Sequence, residues 1–165
     1  MEGCKNLNKL QEFVTIANSK LGCGYVYGGQ SDQPLTIDAL EVLVKRFGKS
    51  HYYFTNYSAK RWIGKEYYDC SGLIVYTLRK LGLILKNEDY TTQNIFFKLC
   101  TPITQNQLGI GDLCFSKTSS GIVHAGIYMG NNRVTHARGT FYGVVNTTLF
   151  SSFNTFGRLT FFDKK

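Results

Sequence analysis

Ile122-Val-His-Ala-Gly-Ile-Tyr-Met-Gly-Asn-Asn-Arg-Val-Thr-His-Ala137 is the stretch that decides the fold. Two runs of strand-forming residues flank Gly130-Asn131-Asn132, which is a turn signal. The reading is an antiparallel hairpin with His124 on one arm and His136 on the other. Three registers are open. A three-residue loop that pairs Tyr128 with Asn132 sets the histidines directly opposite. Pairing Met129 with Arg133 sets them diagonal on one face, at roughly 7–8 Å. A two-residue loop splits them onto opposite faces.

Working outward, further short strands are expected at 112–116, 141–146 and 158–162, beside hairpin arms at 122–129 and 133–137. Before Pro102 the period is helical. Leu7, Leu10, Val14, Ala17 and Leu21 share one face of a first helix, closed by Gly22 and Gly24. Thr36 to Phe47 reads as a second, with Ile37, Leu40, Val44 and Phe47 on one face and Gly48 as its stop. Asp69 caps a third, which runs through Leu73, Tyr76 and Leu78 to Gly82. Thr91 to Leu99 forms a short fourth. Helices followed by a strand meander specify an α+β fold with an antiparallel sheet of five or six strands.

The chain has 165 residues, enough for one domain with a sizeable core. Charged residues are 18% and aromatics 15%, which excludes a disordered chain. Nineteen Lys and Arg against 11 Asp and Glu give a net charge of +8, so an anionic partner is expected: nucleic acid, a membrane surface or a cell-wall polymer. Cysteines at 4, 23, 70, 100 and 114 show neither zinc spacing nor a paired framework. No metal and no cofactor are expected. Met1 to Leu21 lacks the apolar core of a signal peptide, and no run suits a transmembrane helix. The expectation is synthesis in the cytoplasm, without membrane insertion.

The chemistry centres on Tyr68-Asp69-Cys70-Ser71-Gly72. A cysteine in the first helical turn meets unpaired backbone N–H groups, which favour thiolate and can hold an oxyanion. Asp69 opposes this with its own charge, so a histidine is needed to take the proton. In either of the first two registers, one of His124 and His136 can serve as base while the other orients it.

These residues also resemble a family. Tyr25-Val-Tyr-Gly-Gly29, Asp69-Cys-Ser-Gly72, Gly111-Asp-Leu-Cys-Phe115, Val123-His-Ala-Gly-Ile-Tyr-Met-Gly130 and Val134-Thr-His-Ala137 are similar, in order, to the motifs of the NlpC-type cell-wall cysteine peptidases. The resemblance runs from Leu21 to about Phe162. It implies a papain-like fold, with the cysteine helix packed on the histidine-bearing sheet. It implies cleavage of peptidoglycan stem peptides, typically between D-γ-glutamate and a diamino acid. Cys70 would be the nucleophile, His124 the base and His136 its orienter. Tyr25 would lie at the oxyanion or substrate side, and Asp69 and Ser71 would hold the substrate's polar end.

Two departures stand out. Gly29 and Asp69 are 40 positions apart, where the family makes a short connection. Residues 30–67 are therefore read as an insertion of about thirty residues within one catalytic domain spanning 1–165. Its aromatic-basic stretch (His51, Tyr52, Tyr53, Phe54, Tyr57, Lys60, Arg61, Trp62) is read as a binding surface for sugars, wall polymers or nucleic acid, or as packing. Gly24 stands where proline is common, which should loosen the approach to Tyr25.

Cys4, Cys23, Cys100 and Cys114 are read as small buried hydrophobes, and His51 as a surface or substrate-adjacent group. The leading function is a cysteine endopeptidase on peptidoglycan or muropeptides, held near anionic wall polymers by its charge. Without a leader it would be a lysin, a wall hydrolase reaching its substrate by holin, virion or secretion machinery, or a cytosolic muropeptide recycler. The runner-up is an N-acetylmuramoyl-L-alanine amidase of Cys-His type. A basic nucleic-acid or wall-binding module is the distant alternative. Nucleic acid is not expected, because no recognition motif accompanies the charge.

Overall fold

The computed structural model describes the backbone of residues 2–163 and the side chains of residues 7–163. The reading of Cys4 as a buried side chain lies outside the described residues. Helix α1 spans Glu2–Ser19. Its core stripe is Phe13 and Ala17, fully buried, flanked by Leu10 and Val14. Leu7 and Leu21, expected on that stripe, are exposed, and the helix ends before Leu21.

Three two-residue strands come next: β1 (Gly24–Tyr25), β2 (Gln30–Ser31) and β3 (Tyr67–Tyr68). They form a small sheet in the order β1-β3-β2, with β1 and β3 parallel. Between β2 and β3 lies α2 (Ile37–Phe47), capped by the Thr36 hydroxyl, which accepts from the Ala39 N–H at 3.1 Å. Gly48 closes it at φ 96°, as read. Ile37 is 57% exposed, so the buried face is Leu40 with Leu43, Val44 and Phe47. These pack on Leu35, Tyr52, Ala59 and Trp62, and on Val26 from the Tyr25–Gly29 motif. Tyr52 and Trp62 of the aromatic-basic stretch are thus packing, with Tyr53 against them, while His51, Phe54, Lys60 and Arg61 are exposed.

Helix α3 (Cys70–Lys80) buries Ile74, Val75 and Leu78 against Phe13, Ala17, Phe115, Ala125 and Ile127. Helix α4 (Thr92–Asn94) widens into a π-type turn through Leu99. The main sheet comprises β4 (Cys100–Ile103), β5 (Leu113–Thr118), β6 (Gly121–Gly130), β7 (Arg133–Gly139), β8 (Gly143–Thr148) and β9 (Thr155–Leu159). Its order is β4-β9-β5-β6-β7-β8, and every pairing is antiparallel. The fold is α+β, with the six-stranded form of the expected sheet. The strand expected at 141–146 starts later, since Phe141 and Tyr142 occupy the exposed turn before Gly143. The one expected at 158–162 starts earlier, at Thr155, and ends in a 3₁₀ turn over Thr160–Phe162.

The β6–β7 turn resolves the register. Asn131 and Asn132 both take left-handed φ, 49° and 58°, so the loop has two residues and Gly130 pairs with Arg133. That loop alone would put the histidines on opposite faces. The ladder slips at Met129, however, so Tyr128 pairs with Val134 and Ile127 with Thr135. The bulge restores the diagonal register and one shared face.

Candidate active site

Asp69 sets the start of α3. One carboxylate oxygen accepts from the Gly72 N–H at 2.6 Å and from the Ser71 hydroxyl at 3.2 Å; the other accepts from the Gly28 N–H at 2.8 Å. Its own N–H donates to the Gly29 carbonyl at 2.9 Å. The carboxylate is therefore a clamp between the Tyr25–Gly29 loop and the helix. Gly72 makes the clamp possible, since a Cβ there would lie 2.0 Å from the Gly29 oxygen. Burial pushes the Asp69 carboxyl up, and the three hydrogen bonds oppose that.

Cys70 is the first residue of this helix and is half-buried. Burial first, then the Asp69 charge, push its thiol up to about 12. The backbone N–H groups of Ser71, Ala125 and Cys70 itself act in the opposite sense. The helix terminus was expected to favour thiolate; here desolvation outweighs it. Ala125 follows His124 in β6, so the histidine strand borders the thiol. Among the described residues no hydrogen bond joins Cys70 to His124; such contacts commonly tighten only with substrate bound.

His124 and His136 are in direct contact. His124 Nε2 and His136 Nδ1 are 2.7 Å apart, with ring centroids at 5.0 Å and planes at 69°. His136 Nε2 lies 3.0 Å from the Thr147 hydroxyl, which donates to the Thr148 carbonyl at 3.1 Å. A carbonyl only accepts, so the chain of donors is fixed from its far end. Thr147 spends its proton on Thr148 and accepts from His136 Nε2–H. His136 Nδ1 then accepts from His124 Nε2–H. His124 Nδ1 is left as an unclaimed lone pair.

Phe150 and Phe153, from the β8–β9 loop, wall this pair. Phe153 lies 5.7 Å from the His124 ring and 5.4 Å from the His136 ring; Phe150 lies 5.9 Å from His136. His136 is fully buried. Burial drives His124 down to about 4 and His136 down to about 3, and the Arg138 charge adds to both. Burial thus favours the neutral form of the thiol and of both imidazoles.

Tyr25 stands at the end of β1, half-buried, with no hydrogen bond to its hydroxyl among the described residues. Burial raises its phenol, and the Cys70 and Asp69 charges raise it further. His51 is exposed and stacked on Tyr27 at 4.1 Å between ring centroids. Cys114 is fully buried, while Cys23 and Cys100 are partly buried. Among the described residues no group of His, Cys, Asp or Glu is gathered to hold a metal, and no helix is long and apolar enough to cross a membrane. Sequence reasoning missed Thr147, Phe150 and Phe153. Thr147 has a signal, since it alternates with Val145, which pairs with His136, but that requires the β7–β8 register.

The NlpC/P60 family model matches residues 22–155. The chain is 34% identical over 89 residues to "Probable endopeptidase p60" of Listeria grayi, covering 48% of this chain and 17% of that protein. It is 40% identical over 84 residues to "Probable endopeptidase NlpC" of Escherichia coli, covering 49% of this chain and 51% of that one. The chain therefore spans only part of these relatives. Among solved structures, the P60 domain from M. avium subspecies paratuberculosis antigen MAP1204 superposes with TM-score 0.62 at 21% identity, covering 93% of this chain and 96% of that one. The peptidoglycan hydrolase RipB from Mycobacterium tuberculosis does so with TM-score 0.63 at 19% identity, covering 94% and 66%. These two likenesses concern the fold, which both domains share; the match across residues 22–155 goes further, and by it the chain belongs to the NlpC/P60 family.

Proposed function

We propose that this protein is a cysteine peptidase that hydrolyses an amide of peptidoglycan stem peptides, between D-γ-glutamate and a diamino acid. The observation that carries the reading is the His124–His136–Thr147–Thr148 donor chain, which leaves His124 Nδ1 free as a base in the strand bordering Cys70. The thiol proton passes to His124 Nδ1 as Sγ bonds to the carbonyl carbon. The oxyanion is met by N–H groups at the start of α3 and by the Tyr25 hydroxyl. Collapse breaks the C–N bond, and His124 returns its proton to the leaving amine. Water, deprotonated by His124, then bonds to the acyl carbon, the C–S bond breaks, and His124 returns its proton to the Cys70 sulfur.

His136 orients His124 in this scheme, and Asp69 with Ser71 positions Cys70 and the Tyr25 loop while lining the substrate side. Residues 30–67 brace that loop. The relatives' names, endopeptidase p60 and NlpC, support the reaction class. The net charge of +8 suits an enzyme retained by anionic wall polymers, outside the compartment of synthesis.

Purified protein incubated with defined muropeptides tests the reading. Mass spectrometry should find cleavage after D-γ-glutamate, with new amino groups and no new reducing ends, and Cys70→Ala should abolish it. Release of the intact stem peptide would mean the amidase reading instead; new reducing ends would sink both.

A further inference from the structure

Arg138, on the histidine face of the sheet, is a cation without a counter-ion among the described residues. It follows His136 by two positions in β7, where the β7–β8 ladder shifts register between Ala137 and Gly139. Phe150 fixes the placement, since its ring lies 5.9 Å from the His136 ring and 5.7 Å from Arg138 Cζ. The guanidinium sits over the Tyr142 ring at 4.0 Å, and the residue is exposed. The ion pairs among the described residues are Lys20–Glu66, Lys80–Asp32 and Arg158–Asp112, all elsewhere. Arg138 has neither an ion pair nor a hydrogen bond among the described residues, so its planar fork of donors is free.

A bare cation here works against the proposed chemistry. The reaction makes an imidazolium of His124, and the Arg138 charge disfavours it. An anion bound to Arg138 would cancel that opposition only while substrate occupies the site. Stacking on Tyr142 and Phe150 holds the fork in place in advance, which suits the two-oxygen geometry of a carboxylate.

We propose that Arg138, backed by Tyr142, is the recognition site for a substrate carboxylate next to the scissile amide. This rests on the stem-peptide reading above. Two carboxylates qualify: the α-carboxylate of the D-γ-glutamyl residue and that of the diamino acid.

Three synthetic stem peptides distinguish them: one with both carboxylates free, one amidated at the glutamyl α-position and one amidated at the diamino acid. The wild type should lose about tenfold or more in kcat/KM on one amidated peptide, and that peptide identifies the carboxylate. Arg138→Gln should lose as much on the free peptide, the two losses should not add, and Arg138→Lys should recover part. Equal losses on all three peptides, or no loss on any, would overturn the site. Calorimetry of the same peptides on Cys70→Ala separates this site from the proposed reaction. Binding that needs both the carboxylate and Arg138, without turnover by the wild type, keeps the site and removes the reaction. Turnover indifferent to Arg138 keeps the reaction and removes the site.

Discussion

Trp62 lies against the backbone of Gly24 so closely that a Cβ at position 24 would stand 2.7 Å from both Trp62 Cβ and Cγ. The same indole reaches Gly143, where a Cβ would meet Trp62 Cη2 at 2.8 Å, and its Nε1–H donates to the Thr140 carbonyl at 2.7 Å. Segment 30–67 thus stitches the start of β1 to the β7–β8 turn. The long connection from Gly29 to Asp69 and the glycine at 24 therefore meet in one contact. A proline at 24 would strike Trp62 and lose the Gly24 N–H bond to the Glu66 carbonyl, 2.8 Å.

This pairing is measurable by a double-mutant cycle in denaturant unfolding. Gly24→Ala should destabilise by about 1–3 kcal/mol through overpacking. Trp62→Ala should cost about 3–5 kcal/mol through the cavity it leaves. The double variant should lose less than the sum, because the second change makes room for the first. Strict additivity would show that the indole moves aside freely.

Thr147 governs the histidine tautomers, so its hydroxyl should matter more for rate than for stability. Thr147→Val keeps the shape, removes the acceptor for His136 Nε2–H and frees His136 to flip its proton to Nδ1. Loss of such an outer partner typically costs about 10–100-fold in activity, and kcat should carry it. Thr147→Ser should retain the rate. Nitrogen NMR of the imidazoles should show the His136 proton on Nε2 in the native protein and a mixture in Thr147→Val. An unchanged tautomer would refute the relay.

Acid should weaken the fold through the same pair. His124 and His136 titrate near 6.5 when unfolded and at about 4 and about 3 when folded. Between those values the unfolded chain binds protons that the folded one refuses, so stability falls as pH drops from about 6.5 toward 4. Thermal melts should show this slope, and His124→Gln should flatten it. The acid limb of kcat/KM should also lie below the 6.5 of free imidazole, since a protonated His124 cannot take the thiol proton. Alkylation of Cys70 without substrate added should titrate above ordinary thiols, because burial raises the thiol. A plateau of alkylation already at pH 6 would indicate a preformed ion pair and contradict this.

The parts legible in the sequence were those with a local physical signature. The Asp69 cap, the Thr36 cap and the Gly48 stop are each written within one turn of chain. The hairpin was legible as a hairpin, but its register hung on a bulge at Met129, which no pattern of two announces. Strand β4 was hidden by Pro102, which an edge strand tolerates because one side of it pairs with nothing. The two-residue strands β1, β2 and β3 are too short to show any period. At the site, Cys70, His124 and His136 came from motif order, whereas Thr147, Phe150 and Phe153 depend on strands meeting in space.

Gly126 offers a direct test of the histidine geometry. It pairs with Cys114 in β5 and lies across from His136, where a Cβ would stand 3.0 Å from His136 Cβ and 2.5 Å from Val134 Cγ1. Gly126→Ala must push β7 away from β6 at the point where the two imidazoles meet. The His124–His136 contact of 2.7 Å is at the short end of a hydrogen bond, and a separation past about 3.5 Å would break it. The expected result is a folded protein, destabilised by about 1–3 kcal/mol, whose activity falls further than its folded fraction explains. Circular dichroism fixes the folded fraction, and turnover of a muropeptide fixes the rate. Full activity per folded molecule would show that the histidine contact tolerates the shift and does not set the rate.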